Sequence, residues 1–503
     1  MSHEVLINVG AAETRVAVVS DGRLQEFFLE RTIDADEGGG GRAGHSLLGN
    51  IILGRVQRVL PGMQAAFVDI GLERSGFLGA KEARCLADLP GYEDNVPPCI
   101  TSCVREGQAL LVQVVKDPIG EKGARLSANV TLPGRLLVLV PNQTGVALSR
   151  RIEDEAERAR LSDIVEQLIA NGDGHFITGA GYIVRTAAVG LGAAEIADDA
   201  ARLAEQWRAI AHRKQAAKAP ATIYHDLDPV ERTLRDQVDN ETLRVIVDDA
   251  GAFEKARAYA KRAMPEVIDR ISLWNGPGFL FDQYSIEGQI DALLRTRVPL
   301  RSGGWITIET TEALTAVDVN SGSLTDTTGL EETSVRTNLE AAAEIGRQLR
   351  LRAIGGLIVI DFIHLGECEN IANVLQTLAM SLGADRVPTQ ITGMSEFGLV
   401  EMTRKRVRDP LAKFLTEPCE APVVGGRIKT LETVANELLR RIEREARANP
   451  GRMLVAFASP EVAAWLEERK TTLKTALARR GVAQVRFAPR SDFIRTRFDV
   501  AVE

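Results

Sequence analysis

The segment from Trp305 to Phe362 constrains the fold of this 503-residue chain more than any other part of its sequence. Its apolar stretches Trp305–Glu309 and Leu314–Asn320 predict two β-strands. Apolar residues at helical spacing follow from about Glu331 to Arg352, and after two helix-stopping glycines Leu357–Phe362 predicts a third strand. The order is a strand–helix–strand unit, so the two strands that flank the helix lie parallel and their carboxyl ends share one sheet edge.

Two aspartates end these parallel strands, Asp318 on the first and Asp361 on the second. Ligands bind at this edge in α/β proteins, and adjacent carboxylates both stay ionised only with a cation beside them. One or two carboxylates suit Mg²⁺, and Asn320, on the same face as Asp318, can position a water or a phosphate oxygen. The alternative is that one aspartate caps a turn and the other is an isolated edge charge. Both interpretations stay open at this point.

A second region predicts a small all-β barrel, because five short apolar stretches are separated by glycine and proline. They are Asn50–Leu60, Ala65–Ile70, Ser75–Leu78, Gln108–Lys116 and Arg125–Thr131. Two phenylalanines, Phe67 and Phe77, stand among basic residues of this region. The basic residues are Arg55, Arg58, Arg74, Lys116 and Lys122. Aromatic faces combined with cations suit single-stranded nucleic acid, whereas a core position is the alternative for each phenylalanine.

The chain begins with three predicted strands, Val5–Val9, Thr14–Val19 and Leu24–Leu29, and Asp21-Gly22 between the last two predicts a hairpin turn. The glycine-rich tract Gly38–Gly44 predicts an exposed loop.

Helical spacing predicts further helices from Glu153 to about Ala170, from Ala193 to Ala217 and over Leu431–Ala446. The last of these has an apolar stripe formed by Val434, Leu438, Leu439 and Ile442. Either this stripe is a contact between two copies of the chain, or it belongs to the core of one copy.

Composition excludes several classes of protein. The net charge of −8 disfavours coating of nucleic acid by bulk charge but leaves a local basic groove open. Because no apolar run reaches the roughly 18–20 residues of a membrane span, and the N-terminus lacks a signal-peptide pattern, we expect no membrane partner. Five cysteines in so long a chain favour a reducing compartment, and we therefore expect a cytoplasmic protein.

Other common sites are also excluded. The glycine-rich phosphate loop with its Gly-Lys-Ser/Thr ending is absent. The six histidines form no pair with metal-ligand spacing, and Cys99 with Cys103 lacks the second ligand pair of a zinc site.

Motifs along the whole chain resemble known proteins. They are Gly-Asn-Ile at 49–51, Ala-Ala-Phe-Val-Asp-Ile-Gly at 65–71, Gly-Phe-Leu at 76–78, Val-Arg-Glu-Gly-Gln at 104–108, Ile-Val-Arg-Thr-Ala at 183–187, Glu-Ala-Leu-Thr-Ala-Val-Asp-Val-Asn-Ser at 312–321, Gln-Leu-Arg-Leu-Arg at 348–352, Gly-Gly-Leu-Ile-Val-Ile-Asp-Phe-Ile at 355–363 and Phe-Gly-Leu-Val-Glu-Met-Thr-Arg-Lys-Arg at 397–406. The first four resemble the OB-fold named after ribosomal protein S-one. Together, in this order, the motifs resemble the ribonuclease E/G family.

The resemblance implies an α/β multidomain fold, α+β overall, in seven segments. These are the first part of an RNase H-like subdomain over 1–45, an S-one-type OB-fold RNA-binding domain over 46–128, a 5′-sensor region over 129–227, the second part of the RNase H-like subdomain over 228–293, a DNase-I-like α/β catalytic domain over 294–416, a degenerate zinc-link segment over 417–427 and a small C-terminal α/β domain over 428–503.

The resemblance also implies an Mg²⁺-dependent endoribonuclease, with Mn²⁺ as a substitute, that prefers single-stranded RNA with a 5′-monophosphate. Its substrates would be rRNA and tRNA precursors and mRNA. The implied catalytic residues are Asp318, Asp361 and Asn320, with both aspartates as metal ligands. The implied 5′-phosphate sensor is Gly134, Val138, Arg185 and Thr186, and the implied RNA contacts are Phe67, Phe77, Lys116 and Lys122. The alternative is a non-catalytic RNA-binding protein on the same scaffold.

The sequence departs from the family in three places. The zinc-link segment keeps only Cys419, because Pro422 stands where the family has a second cysteine, so we expect no zinc and, if a homodimer forms, one that does not depend on zinc. His364 stands where the family commonly has an aspartate, and 367–378 lacks the basic residues often found there, which puts full catalytic strength in question. The absence of a low-complexity tail before Glu503 favours the shorter, G-like branch of the family.

Overall fold

The computed structural model describes residues 2–31, 47–86, 98–118, 123–172, 174–322, 330–383, 385–418 and 427–503. The chain divides into two compact units. Unit 1 comprises Met1–Leu29, Ile246–Asp249 and Leu273–Glu503, and unit 2 comprises Glu30–Val245 and Ala250–Ser272. This division is coarser than the seven predicted segments, whose boundaries stay predictions. The predicted loop Gly38–Gly44 lies outside the described residues.

The described residues form 26 β-strands, numbered in chain order. They are β1 (His3–Val9), β2 (Glu13–Ser20), β3 (Arg23–Arg31), β4 (Ile51–Leu60), β5 (Ala65–Asp69), β6 (Gly76–Gly79), β7 (Ala109–Lys116), β8 (Arg125–Ser127), β9 (Leu132–Pro133), β10 (Leu137–Val140), β11 (Gly145–Leu148), β12 (Gly181–Val184), β13 (Ala221–Tyr224), β14 (Thr242–Val247), β15 (Ile271–Leu273), β16 (Arg297–Pro299), β17 (Trp305–Thr310), β18 (Leu314–Asn320), β19 (Gly356–Asp361), β20 (Thr389–Met394), β21 (Leu399–Arg404), β22 (Thr416–Pro418), β23 (Arg427–Lys429), β24 (Met453–Ala458), β25 (Gln484–Pro489) and β26 (Phe498–Val502).

The same residues form 13 α-helices. They are α1 (Ile100–Cys103), α2 (Glu155–Asn171), α3 (Ala193–Ala216), α4 (Pro229–Gln237), α5 (Ala250–Ala263), α6 (Leu280–Gln283), α7 (Ile286–Ala292), α8 (Leu330–Leu351), α9 (Cys368–Gly383), α10 (Leu411–Leu415), α11 (Leu431–Ala448), α12 (Pro460–Glu468) and α13 (Lys470–Arg479). Side chains of Asp154, Asp228 and Thr430 accept backbone N–H groups where α2, α4 and α11 begin. None of the described helices combines the length and apolar character that a membrane crossing requires.

The strand–helix–strand prediction is confirmed in unit 1. A six-stranded sheet has the order β16-β17-β18-β19-β21-β20. Strands β18 and β19 are its parallel neighbours, and α8 connects them. Residues 315, 317 and 319 of β18 are buried while 316 and 318 are exposed, so one sheet face packs on the core and the other stays open. The helix stop differs from the prediction, because Ala353, with φ of 53°, makes the left-handed turn after α8 rather than the two glycines.

The three predicted N-terminal strands are confirmed as β1, β2 and β3. Asp21 and Gly22, both with positive φ, form the turn between β2 and β3, as the Asp-Gly signal predicts. The chain returns to this sheet near the middle of the sequence, where the Asp248 backbone N–H donates to the Ile7 carbonyl at 3.1 Å. Unit 1 is therefore assembled from segments far apart along the chain.

The apolar stripe of α11 belongs to the core of unit 1. Val434, Leu438 and Ile442 are 0% exposed and Leu439 is 2% exposed. The prediction that this stripe is a contact between copies is wrong, and the alternative of an intramolecular core is confirmed. The physical reason is that α11 packs its apolar face against other elements of its own chain, including β24 and β26.

Unit 2 contains the predicted barrel. Strands β4, β5, β6, β8 and β7 pair in this order, and β7 pairs back with β4, which closes a five-strand, OB-like barrel. A second sheet of the order β11-β12-β10-β9 is covered by α2 and α3, whose predicted positions are confirmed within two residues. The mixed α/β character and the barrel are thus as expected.

Candidate active site

Asp318 and Asp361 are direct neighbours on the parallel strands β18 and β19, where the two residues stand at the same register position. Both side chains are exposed on the open face of the sheet. Asp361 ends β19, but β18 continues to Asn320, so the prediction that Asp318 ends its strand is corrected by two residues. The sheet register therefore places the two carboxylates side by side, as the sequence predicts.

The open sheet face around these aspartates forms a shallow cleft of about 240 Å³. Thr307 on β17 and Leu399 on β21 continue the row of Asp318 and Asp361 across four strands. The next row, one step toward the strand interiors, carries two further acids on the same face. They are Glu309, opposite Ala316, and Glu401, opposite Val359. The cleft is therefore acidic at its floor and open to solvent.

Asn320 supports Asp318 directly. Its Nδ2 donates to Oδ2 of Asp318 at 2.7 Å, and alternation along β18 places both side chains on one face. The hydrogen bond fixes one carboxylate oxygen of Asp318, and no described residue hydrogen-bonds to the other. Asn320 is thus brought to the site that the sequence predicts for it.

A buried asparagine that the sequence analysis missed holds the chain just after Asp361. The Asn338 side chain on α8 is 0% exposed, donates to the Ile363 carbonyl at 2.7 Å and accepts from the Ile363 backbone N–H at 3.0 Å. Farther along, Glu331 accepts from the Gly366 backbone N–H at 3.1 Å. A polar residue on the apolar face of a predicted helix is the only sequence signal that points to Asn338.

The donor set at this edge fits a hard divalent cation. Mg²⁺ in proteins takes one or two carboxylates and keeps several waters, and two adjacent exposed carboxylates with one free amide oxygen match that demand. In the described part of the chain, three or more Asp, Glu, His or Cys residues nowhere converge as a ready ligand cluster. The residues present therefore suit a largely hydrated ion better than a fully protein-bound one.

The barrel carries a row of aromatic and basic side chains across its outer face. Phe67 and Phe77 are cross-strand partners, with ring centroids 6.1 Å apart and planes at 74°. Each ring is half-buried, while the neighbours in sequence on either side are buried, so both rings lie on the outer face rather than in the core. The row continues through Arg58 on one side and through Arg125 and Lys116 on the other.

The sequence analysis identified only some of the basic residues in this row. Lys116 is confirmed as a neighbour of the aromatic pair through Arg125. Arg125, which the sequence analysis missed, is half-exposed and donates to Glu82 at 2.7 Å. Only the alternation of β8 and its pairing with β6 could have shown it. Lys122 lies outside the described residues.

The predicted sensor residues meet at one end of the four-stranded sheet of unit 2. The Arg185 guanidinium donates to the Gly134 carbonyl at 2.5 Å and to Asp236 at 2.8 Å. Thr186 follows Arg185 and is exposed, and Val138 lies in β10 opposite Ile183. The structure thus brings the four residues into one neighbourhood and adds Asp236 to them.

Asp236 stays charged beside Arg185. Burial raises the pKa of this carboxyl, but hydrogen bonds and charge from Arg235 and then Arg185 outweigh burial and hold its pKa below the usual range. Both arginines pair with the carboxylate of Asp236, and Arg235 also lies 3.6 Å from Asp226. Arg185 is 26% exposed, which leaves part of its donor edge open to solvent.

A buried carboxylate shapes the loop beside this pocket. Asp199 is 3% exposed and accepts from the backbone N–H groups of Leu136 and Leu137 at 2.9 and 3.0 Å. A Cβ at position 134 would stand 2.5 Å from an Asp199 oxygen, so only glycine fits there. Gly134 is thus required by close packing against Asp199.

The cysteines of the described chain are free. Cys85, Cys99, Cys103 and Cys368 form no disulfide. Burial raises the pKa of the Cys103 thiol. Cys419, the predicted remnant of a zinc link, lies outside the described residues, so the zinc expectation stays a prediction.

Comparison with known proteins shows which family model and which relatives this chain is similar to. A model described as "Ribonuclease E/G family" matches residues 131–407. "Ribonuclease G" of Escherichia coli (strain K12) is 41% identical over 467 residues, which cover 92% of each chain. "Ribonuclease G" of Haemophilus influenzae is 40% identical over 92% of this chain and 91% of that protein. "Ribonuclease E" of Escherichia coli (strain K12) is 36% identical over 93% of this chain and 43% of that protein.

Proposed function

The chain belongs to the ribonuclease E/G family and is an endoribonuclease, and we propose that it cuts single-stranded RNA with the help of a divalent cation and prefers a 5′-monophosphate end. The observation that carries this proposal is the register pairing of Asp318 with Asp361 on an open sheet face. This pair also favours the enzyme over the alternative of a non-catalytic RNA-binding scaffold, because adjacent exposed carboxylates serve no evident purpose in binding a polyanion.

The residues at this edge have different roles in the proposed reaction. Asp318 and Asp361 would hold Mg²⁺, which when bound supplies polarisation of the phosphodiester and an oriented water for in-line attack. Asn320 fixes the orientation of Asp318 through the 2.7 Å hydrogen bond. Asn338 fixes the backbone directly after Asp361. The two supports keep the carboxylates in place against their mutual repulsion.

The RNA strand would cross the barrel along its outer row. Phe67 and Phe77 offer two aromatic faces, and Arg58, Arg125 and Lys116 offer charge for the phosphates. Lys122, which lies outside the described residues, stays an expected RNA contact. Because the whole chain has a net charge of −8, a local basic row of this kind is needed to attract RNA.

One experiment tests the proposed function by adding and removing the metal. The protein is incubated with a fluorescent, 5′-monophosphorylated, A/U-rich oligonucleotide in Mg²⁺ or in EDTA. We expect cleavage in Mg²⁺, restoration by Mn²⁺ after chelation, and none in EDTA, because the carboxylate pair alone supplies no electrophile. Cleavage of equal rate in EDTA would contradict the metal assignment, and tight binding without cleavage in Mg²⁺ would support the non-catalytic alternative.

The same chelation experiment checks the zinc expectation. A shared structural zinc site needs two ligands from each chain, and the zinc-link segment offers only Cys419. We therefore expect negligible zinc on metal analysis and no change of molecular size after chelation. About half a zinc per chain, together with dissociation by the chelator, would show that the missing cysteine is replaced by another ligand.

Replacement of Arg185 tests the 5′-sensor. In Arg185→Ala we expect cleavage of 5′-monophosphorylated RNA to slow about 10- to 100-fold, toward the rate for 5′-hydroxyl RNA, because a charge-assisted hydrogen bond is lost. Arg185→Lys should restore little, since lysine lacks the planar fork that reaches both Gly134 and Asp236. The measurement is the single-turnover rate on both substrates.

The matched control for this variant is Arg208→Ala. Arg208 belongs to the same unit and also donates to a backbone carbonyl, that of Gly174, at 2.7 Å, but it stands outside the predicted pocket. It should leave both rates nearly unchanged. If Arg185→Ala slows both substrates by one common factor, Arg185 is a general or structural residue and no 5′-sensor.

A further inference from the structure

An exposed phenylalanine stands at the tip of the hairpin between β20 and β21. Phe397 is 89% exposed, which makes it the most exposed large apolar side chain among the described residues. It belongs to a motif that the sequence analysis singled out, residues 397–406, but neither the metal pair nor the sensor uses it. A ring held so far out of the protein gains nothing from packing.

The backbone of this tip is fixed by its own hydrogen bonds. The Gly398 N–H donates to the Ser395 carbonyl at 3.0 Å, and the Ser395 N–H donates to the Leu399 carbonyl at 2.8 Å. The φ of Gly398 is 79°, a conformation that favours glycine. Phe397 is therefore presented by a defined turn rather than by a loose loop.

The tip lies beside the candidate metal site. Leu399, two residues after Phe397, is the cross-strand partner of Asp361 and lines the same cleft. Neighbouring strands lie about 5 Å apart, and a strand advances about 3.3 Å per residue. The backbone atoms of Phe397 and Asp361 are therefore within about 10 Å of each other in space. This distance corresponds to a few nucleotides of an RNA strand.

The chemistry of the tip suits a nucleobase of RNA rather than a phosphate group or a protein surface. Glu396, the residue before Phe397, carries an exposed carboxylate that repels phosphate oxygens. One ring flanked by Glu396 and Gly398 is also far smaller than the apolar patches that mark protein interfaces. Unstacked bases of single-stranded RNA offer flat faces to aromatic side chains, whatever their sequence.

We propose that Phe397 stacks on one nucleobase of the RNA substrate, a few nucleotides from the cleaved phosphodiester, and so positions the strand over Asp318 and Asp361. This inference rests on the proposed function. It adds a contact on unit 1 that is separate from the aromatic pair of the barrel on unit 2. The proposed ligand of the tip is RNA. The alternative, which the test also addresses, is that the tip contacts a second protein chain.

The test combines removal of the Phe397 side chain with removal of single bases from the RNA. Kinetics are measured on a 5′-monophosphorylated oligonucleotide with one cleavage position and on derivatives with one abasic nucleotide at each successive position. For Phe397→Ala we expect KM to rise about 5- to 150-fold, the range that corresponds to about 1–3 kcal/mol of base–aromatic stacking. At one position the abasic substitution should raise KM equally in wild type and add nothing in Phe397→Ala, because both remove the same contact.

Two further variants separate stacking from simple loss of apolar surface. Phe397→Trp keeps an aromatic face and should retain wild-type KM, whereas Phe397→Leu keeps apolar bulk without that face and should resemble Phe397→Ala. The matched control is Met380→Ala, because Met380 is 73% exposed on α9 of the same unit and should change nothing.

The outcomes distinguish this inference from the proposed function. If wild type cleaves in Mg²⁺ but Phe397→Ala keeps its KM, or if its effect adds to every abasic position, the stacking contact is overturned while the proposed function stands. If Phe397→Ala changes the sedimentation of the RNA-free protein, the tip is a contact between copies instead. Absence of cleavage by wild type would overturn the proposed function and this inference together.

Discussion

Asp361→Asn and Asp318→Asn are each expected to lower the single-turnover rate of RNA cleavage by about 10³-fold or more. Each change removes one of the two negative charges at the candidate metal site but keeps the shape of the side chain. A bound metal contributes several kcal/mol to a phosphodiester transition state, and about 1.4 kcal/mol corresponds to a tenfold rate change. Because both side chains are exposed, neither substitution should disturb the fold.

The measurement separates chemistry from binding. RNA affinity, measured in EDTA, should stay within a few-fold of wild type, since the variants lose negative charge near a polyanion. The matched control is Glu401→Gln, which removes a carboxylate from the same exposed face one register step away, opposite Val359. It should retain most activity. Wild-type rates in both aspartate variants at saturating Mg²⁺ would refute the metal assignment, and an equal loss in Glu401→Gln would reduce it to a general charge effect.

The second large effect is on stability. Asp385→Ala is expected to lower the free energy of unfolding of unit 1 by about 3–5 kcal/mol, because it leaves the Arg404 guanidinium buried without its counter-charge. The two side chains are 2% and 5% exposed, and Arg404 reaches Asp385 at 2.7 and 3.1 Å and the Ile354 carbonyl at 2.7 Å. Arg404 ends β21, opposite Gly356 at the start of β19, so the pair also supports the sheet of the candidate site.

Urea unfolding of the whole chain measures this effect. The matched control is Glu467→Ala, which removes the partner of Lys470 in an ion pair that is half-exposed and 2.6 Å long, and it should cost no more than about 0.5 kcal/mol. Replacing both residues, as in Asp385→Leu with Arg404→Met, should recover most of the lost stability, since no unpaired charge remains. Stability of Asp385→Ala within 1 kcal/mol of wild type would show that water reaches Arg404.

Several features were predictable because they depend on local patterns. The apolar alternation around Asp318 fixes both the strand and the face on which that residue lies. The helix between β18 and β19 makes the strands parallel, so the meeting of Asp318 with Asp361 follows without any knowledge of the rest of the chain. The Asp21-Gly22 turn and the barrel strands follow from turn chemistry and strand propensity in the same way.

The resemblance to a family supplied what local patterns do not contain. Gly134, Arg185 and Thr186 carry no periodic signal that would single them out. The motif at 183–187 contains Arg185 and Thr186, and Gly134 was implied by the resemblance alone. Phe67 and Phe77 were also singled out by the basic residues around them, but periodicity left a core position open until the barrel placed both rings on its outer face.

Which distant residues meet depends on the tertiary structure. Arg125 enters the aromatic row because β8 pairs with β6 in one particular register, and a shift by one residue would turn its side chain to the other face. Asn338 donates a hydrogen bond to Ile363 because of how α8 packs on the sheet. Arg185 donates to Asp236, which lies 51 residues away in the chain. Several strands, helices and turns, and the faces of the strands, follow from the sequence because side-chain period and turn chemistry are local. The partners of Arg125, Asn338 and Arg185 depend on register and packing, which the free energy of the whole fold selects and no short stretch of sequence contains.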